Sequence, residues 1–209
     1  MQIEELVQGI ALVLQTNEEV FSPTAVDRGT KAMLSFVKFS PEDKVLDLGC
    51  GCGVVGICAA KQIGPERVWM CDISENAVRL SRENAKANNV ETVTVRQSDG
   101  LKEISEGEFT IILSNPPYHT DFAVAKCFIE DGFKKLAVGG RMVMVTKRLD
   151  WYRNKLASVF GGVTVKEQDG YYVFLAEKRD NRKPRKIKKN EQIMSKKLQR
   201  KYGKKRNHQ

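Results

Sequence analysis

From residue 45 onward the apolar positions fall into short runs separated by stretches of helical spacing. The runs at 45–48, 67–71, 92–96, 110–113 and 141–145 are strand-length and rich in Val, Ile, Leu or Met. Between them 54–62, 75–88 and 122–136 repeat at the helix period; the last opens from Thr120 or Asp121 as a cap and ends towards Gly139 and Gly140. Strands alternating with helices predict right-handed crossovers and a parallel sheet covered on both faces. A helix at 150–160 follows, then two runs at 163–167 and 171–176 flanking Gln168, Asp169 and Gly170, which predict an antiparallel hairpin at one edge. The expected fold is α/β: a doubly wound, mostly parallel seven-stranded sheet with a C-terminal antiparallel hairpin.

Upstream, Ile3, Leu6, Val7, Ile10, Ala11 and Leu14 recur at helical spacing and predict an amphipathic helix. A second helical pattern runs through Ala32, Met33, Leu34, Phe36 and Val37 and stops at Ser40 and Pro41. The expected organisation is a helical cap over 1–40, the α/β domain over 41–177 and a tail over 178–209.

Charge sets the tail apart. Residues 178–209 carry fifteen Lys or Arg against two acids, net +13, which leaves twenty cations against twenty-four acids, net −4, in 1–177. A basic tail on a mildly acidic domain points to a polyanionic partner, since each cation that neutralises a phosphate releases a condensed counterion. RNA is the expected partner. The tail is expected to be disordered alone, with Ile193, Met194, Leu198 and Tyr202 near helical spacing for folding on a partner.

No apolar run approaches the ~20 residues that span a bilayer, and the first five residues are acidic where a signal peptide would be basic, so no membrane association and a cytoplasmic location are expected. Five cysteines, Cys50, Cys52, Cys58, Cys71 and Cys127, show no C-x-x-C spacing and read as reduced thiols, with neither disulfides nor a metal site.

The first strand runs Val45, Leu46, Asp47, Leu48 into Gly49, Cys50, Gly51, Cys52 and Gly53, and a helix follows. Glycines there let the backbone turn sharply and approach a ligand closely, at the edge where doubly wound sheets bind cofactors. Gly51, Gly53 and Gly56 also fit the G-x-G-x-x-G of a nicotinamide dinucleotide site, a weak match by itself. Two acids favour a different ligand. Asp72, at the end of the second strand and followed by Ile73, can grip both hydroxyls of a ribose, and Asp47 stands where a pyrophosphate would be repelled but an amino acid's ammonium welcomed. Together they favour S-adenosylmethionine. Ser98, Asp99 and Gly100 end the third strand at the same edge, where Asp99 can accept an adenine amino group.

The fourth strand delivers Asn115, Pro116, Pro117, Tyr118 and His119. Two prolines stiffen the backbone and offer no N–H, so the carbonyls of Asn115 and Pro116, with the Asn115 side-chain oxygen, form a set of acceptors for a planar amine. Such acceptors hold an N–H₂ group and stabilise its growing positive charge as it takes a methyl group. Tyr118 can stack on the ring that bears the amine. His119 reads as a substrate contact rather than a base, because an amine attacking a sulfonium can lose its proton after methylation.

D-L-G-C-G-C-G, the Asp72 strand end, S-D-G and N-P-P-Y resemble the class I S-adenosylmethionine-dependent methyltransferases that act on exocyclic or amide nitrogens, over residues from about 20 to 177. F-S-P-T-A-V-D-R-G-T, N-P-P-Y-H and G-G-R-M-V-M-V-T-K-R-L-D-W-Y further resemble the ribosomal RNA guanine-N2 methyltransferases of the methyltransferase small domain family. The resemblance implies that Gly49, Gly51, Asp72 and Asp99 contact the cofactor, and that Asn115, Pro116, Tyr118 and His119 contact the methyl-accepting base. Larger family members carry a second, degenerate methyltransferase-like domain at the N-terminus, where this chain has about twenty residues, and the basic tail is not a family feature. The expected function is an N-methyltransferase acting on guanine N2 of ribosomal RNA. Adenine N6 of transfer RNA and glutamine N5 of a protein are the alternatives, with a nicotinamide-dependent reductase and a non-catalytic RNA-binding protein behind them.

Overall fold

The computed structural model describes residues 1–17, 24–117 and 122–181, and its first element corrects the predicted N-terminal helix. The segment is a hairpin of β1 (Gln2–Val7) and β2 (Ile10–Gln15), paired antiparallel from Gln2 opposite Gln15 to Val7 opposite Ile10. Gln8 and Gly9 both take positive φ, 52° and 78°, the two-residue turn whose twist suits a hairpin. Burial follows the strand period: Val7, Leu12 and Leu14 are buried, whereas Leu6, a core position of a helix, is 67% exposed. The apolar residues fit both periods, and tertiary contacts decide between them.

Those contacts come from a helix. Asn84 Oδ1 accepts the Gln15 N–H at 2.6 Å and its Nδ2 donates to the Gln15 carbonyl at 2.9 Å. Asn88 does the same for Val13, accepting at 3.1 Å and donating at 2.7 Å. Two strand residues rise ~6.6 Å and four helix residues ~6 Å, so two carboxamides on successive helical turns act as a strand and pair the open edge of β2.

After α1 (Arg28–Ser35), capped by Asp27, the α/β alternation begins: β3 (Val45–Leu48), α2 (Val54–Ile63), β4 (Val68–Asp72), α3 (Glu75–Ala87), β5 (Thr94–Gln97), β6 (Phe109–Ser114), α4 (Phe122–Lys135) and β7 (Leu136–Thr146). Asn84 and Asn88 belong to α3 and its C-cap. The chain closes with α5 (Leu149–Phe160), β8 (Thr164–Gln168) and β9 (Tyr171–Glu177). The expected caps Thr120 and Asp121 lie outside the described residues.

The seven strands take the order β5-β4-β3-β6-β7-β9-β8, and only the pairs made by β9 are antiparallel. This is the doubly wound sheet with a C-terminal hairpin. Val45, Met70, Ile111 and Val143 point into one buried layer with α1, α2 and the β1–β2 hairpin; Leu46, Ile112, Met142 and Phe174 point into the other with α4 and α5. Buried on both faces, the central strands read as continuous apolar runs. Winding reverses between β3 and β6, so a crevice opens at their carboxyl ends.

Lys178, at the start of the basic tail, is part of the folded domain. Its backbone pairs with Gly139 and Gly140, and its buried Nζ donates to the Leu136 carbonyl at 2.6 Å. The rest of the tail from 182 lies outside the described residues. Among the described residues no helix is long and apolar enough to cross a membrane.

Candidate active site

At the reversal the chain leaves β3 through the glycine loop. Gly51 takes φ 56° and turns its N–H onto Asp72 Oδ2 at 3.0 Å, while Gly53 takes φ 88° and starts α2 without a side-chain cap. A side chain at either would be strained. At Gly51 the space where a Cβ would stand is open, so a ligand can lie directly against the backbone.

Two cavities flank this loop. The larger, about 340 Å³, has Asp72 and Ile73 from the end of β4, Ser98, Asp99 and Gly100 from the end of β5, and Asn115, Pro116 and Pro117 from the end of β6. Val124 and Phe128 of α4 supply an apolar wall. The smaller, about 80 Å³, lies on the other side of the loop between β3, the hairpin and the start of α1, and is lined by Asp47, Cys50, Asp27 and Thr30. Gly49, Gly51 and Asn115 line both. Gly53 lines neither and serves the turn into α2.

The donors and acceptors differ between the two. Asp72 takes N–H groups from Gly51 and Ser74, each at 3.0 Å, one on each oxygen. The carboxylate is thereby fixed, and with about four lone-pair sites it still has capacity for a diol. Ile73, 66% exposed, stands beside it as an apolar surface for a planar ring. Ser98 spends its hydroxyl on the Gly100 carbonyl at 2.8 Å, which makes it a turn residue. Asp99 reaches the rim of the larger cavity with its carboxylate ion-paired to Lys102.

Asp47 is buried and accepts the Gly56 N–H at 2.9 Å. Burial pushes its carboxyl up to about 7; the Gly56 N–H pulls the other way, and the charge of Asp72 adds to the rise. Burial likewise pushes the neighbouring Cys50 thiol well above its ordinary value, with the charge of Asp47 adding, and takes Cys71 up to about 12. These thiols stay protonated and are inert as nucleophiles.

Asn115 follows Ser114, whose buried hydroxyl donates to the Leu48 carbonyl at 2.8 Å and ties the ends of β6 and β3 together. The Asn115 Nδ2 donates to Asp27 Oδ2 at 2.8 Å and to Thr30 Oγ1 at 3.0 Å. Tyr118 and His119 lie outside the described residues. Sequence reasoning passed over Asp27, Thr30, Val124 and Phe128 as site residues. The D-R-G-T stretch held the first two, but a helix cap and a helix-face Thr give no hint that they face a loop 85 residues away.

The donor set fits S-adenosylmethionine. A fixed carboxylate for a ribose and an apolar wall for a purine occupy one cavity, and backbone with a buried carboxylate for an amino acid's ammonium occupies the other, the two meeting at Asn115. Strand order, glycine loop and paired cavities define a Rossmann-like methyltransferase fold. Residues 11–176 match the methyltransferase small domain family, and the chain belongs to that family.

Among curated relatives, the ribosomal RNA small subunit methyltransferase C of Cronobacter sakazakii is 35% identical over 165 residues, covering 77% of this chain and 48% of the relative. The uncharacterized protein YbxB of Bacillus subtilis is 32% identical over 165 residues, covering 76% of this chain and 82% of the relative. The chain thus spans about half the length of the ribosomal RNA methyltransferase it matches. Among solved structures, the Thermus thermophilus 16S rRNA N2 G1207 methyltransferase in complex with AdoMet and guanosine superposes with a TM-score of 0.73 at 24% identity, covering 86% of this chain and 50% of that one.

Proposed function

We propose that this chain transfers a methyl group from S-adenosylmethionine to the exocyclic N2 of guanine in ribosomal RNA, in the cytoplasm. The observation that carries the reading is the position of Asn115, an amide acceptor followed by two prolines, in the wall shared by the two cavities. The 35% identity to a small subunit ribosomal RNA methyltransferase supports the substrate.

The donor supplies an electrophilic methyl on a sulfonium, held by Asp72 and Ile73 on the adenosine side and by Asp47 and the glycine loop on the amino-acid side. Asp99 at the rim accepts from the adenine amino group. The chain's own task is to place an amine. The Asn115 Oδ1 and the carbonyls of Asn115 and Pro116 accept its N–H bonds, leaving the nitrogen lone pair to face the methyl. As the nitrogen becomes positive these acceptors bind it more tightly, an interaction of the kind worth ~10² to 10³ in rate. Tyr118 stacks on the base, His119 contacts it, and the proton leaves after the C–N bond has formed. The basic residues from 182 onward gather RNA by charge.

The test is mass spectrometry of ribosomal RNA nucleosides from cells with and without the gene. Loss of one N2-methylguanosine, restored by the wild-type protein and not by Asn115→Ala, is expected. An unchanged N2-methylguanosine content overturns the reading, and loss of a different methylated nucleoside replaces guanine with that base.

A further inference from the structure

A carboxamide is nearly symmetric in shape, and its two ends do opposite things. With Oδ1 towards the substrate, Asn115 accepts from an amine; flipped, it presents a donor to a donor. Which end faces where is settled by what the other end touches.

In this structure the Nδ2 of Asn115 meets Asp27 Oδ2 at 2.8 Å and Thr30 Oγ1 at 3.0 Å, engaging both amide hydrogens. Asp27 Oδ2 acts here as an acceptor, so the end of the amide that faces it is the donating nitrogen. The reversed amide would put two oxygens in hydrogen-bond contact with no proton between them. Asp27 is itself held in place: the same oxygen takes the Thr30 N–H at 2.9 Å as the cap of α1. Beneath it Gly29 leaves the necessary room, because a Cβ there would come within 2.9 Å of Asp27 Oδ2 and 2.7 Å of the Tyr171 ring.

We propose that Asp27, seconded by Thr30, is a positioning residue that locks the flip state of the Asn115 amide, turning Oδ1 away from α1 to serve as the acceptor for the substrate amine. The proposal rests on the amine methylation proposed for this site. It assigns to the start of α1 a share in the chemistry at the end of β6, and it explains why the cap is a carboxylate. Ser, Thr or Asn would cap the helix as well, but each can both donate and accept, and none excludes the reversed amide.

That distinction supplies the experiment. Asp27→Ser keeps a cap and removes the discrimination, so its melting temperature should stay near that of the wild type while kcat for methyl transfer to undermethylated ribosomal RNA falls ~10- to 100-fold, a larger factor than any change in the affinity for S-adenosylmethionine measured by calorimetry. Thr30→Ser, which keeps the hydroxyl, should retain more activity than Thr30→Val, which lacks it. Substrate-free protein labelled with ¹⁵N-asparagine gives a second readout. The Asn115 side-chain pair, identified by its disappearance in Asn115→Ala, should shift in Asp27→Ser. Wild-type turnover from Asp27→Ser, an unmoved Asn115 pair, or a loss residing in S-adenosylmethionine affinity each overturns the proposal. A wild-type protein that does not methylate ribosomal RNA defeats the functional reading instead, and the Asn115 resonances still decide the orientation.

Discussion

Asp47 is a carboxyl group in a place that suits its neutral form, and this has a measurable consequence. Its ordinary value of 3.8 applies to the unfolded chain, and burial raises it to about 7 in the folded one. Between those limits the native state holds a proton that the unfolded state has released. Stability therefore falls as pH rises from about 4 to about 7, by up to ~1.4 kcal/mol per pH unit, and the loss is complete above the folded value. Three units set a ceiling of about 4 kcal/mol, a large part of the usual margin of 5–15 kcal/mol. Asp47→Asn removes the cost, because an amide oxygen can still accept the Gly56 N–H and the side chain carries no charge. Urea unfolding at pH 5 and pH 8 should show the stability of the variant relative to the wild type rising by up to ~3 kcal/mol between the two, because about two of the three units of the loss fall above pH 5. Subtracting the variant removes every other group that titrates over that range. The same variant should bind S-adenosylmethionine more weakly, since the carboxylate placed to receive its ammonium is gone. Wild-type affinity should then rise with pH towards 7 as Asp47 ionises. A wild-type minus variant difference that does not change between pH 5 and pH 8 would refute the burial argument.

Asp72→Ala should weaken S-adenosylmethionine binding by ~1–3 kcal/mol in calorimetry, the loss of a charged hydrogen-bonding partner; unchanged affinity would remove Asp72 from the ribose. Asn88→Ala strips both partners from Val13 and should cost about 1–3 kcal/mol in chemical denaturation, with hydrogen exchange rising first in β2. Removing residues 182–209 should leave folding and S-adenosylmethionine binding intact, because Lys178 and β9 close the sheet before the cut. RNA affinity should fall, and its log–log salt dependence should become shallower by ~0.7 for each single-stranded phosphate that the tail no longer neutralises. Equal salt slopes for the two proteins would separate the tail from RNA binding.

The sequence alone determined the strand and helix alternation from Val45 to Glu177, because a parallel sheet covered on both faces demands apolar runs that nothing else in a polar chain resembles. It also marked the glycine loop, Asp72 and the Asn115 prolines, whose chemistry is local and readable without neighbours. Three things had to wait for tertiary structure. The N-terminal segment fits helix and strand periods equally, and what made it a hairpin was the pair of carboxamides on α3 that complete the edge of β2. The high proton affinity of Asp47 comes from burial and from a second carboxylate, neither of which a strand residue announces. The meeting of Asp27 with Asn115 spans 88 positions and exists only because α1 packs across β7 and β9 with its N-terminal cap against the end of β6. A chain's local chemistry is written in consecutive residues; the direction in which an amide faces is set by whichever distant group the fold brings against it.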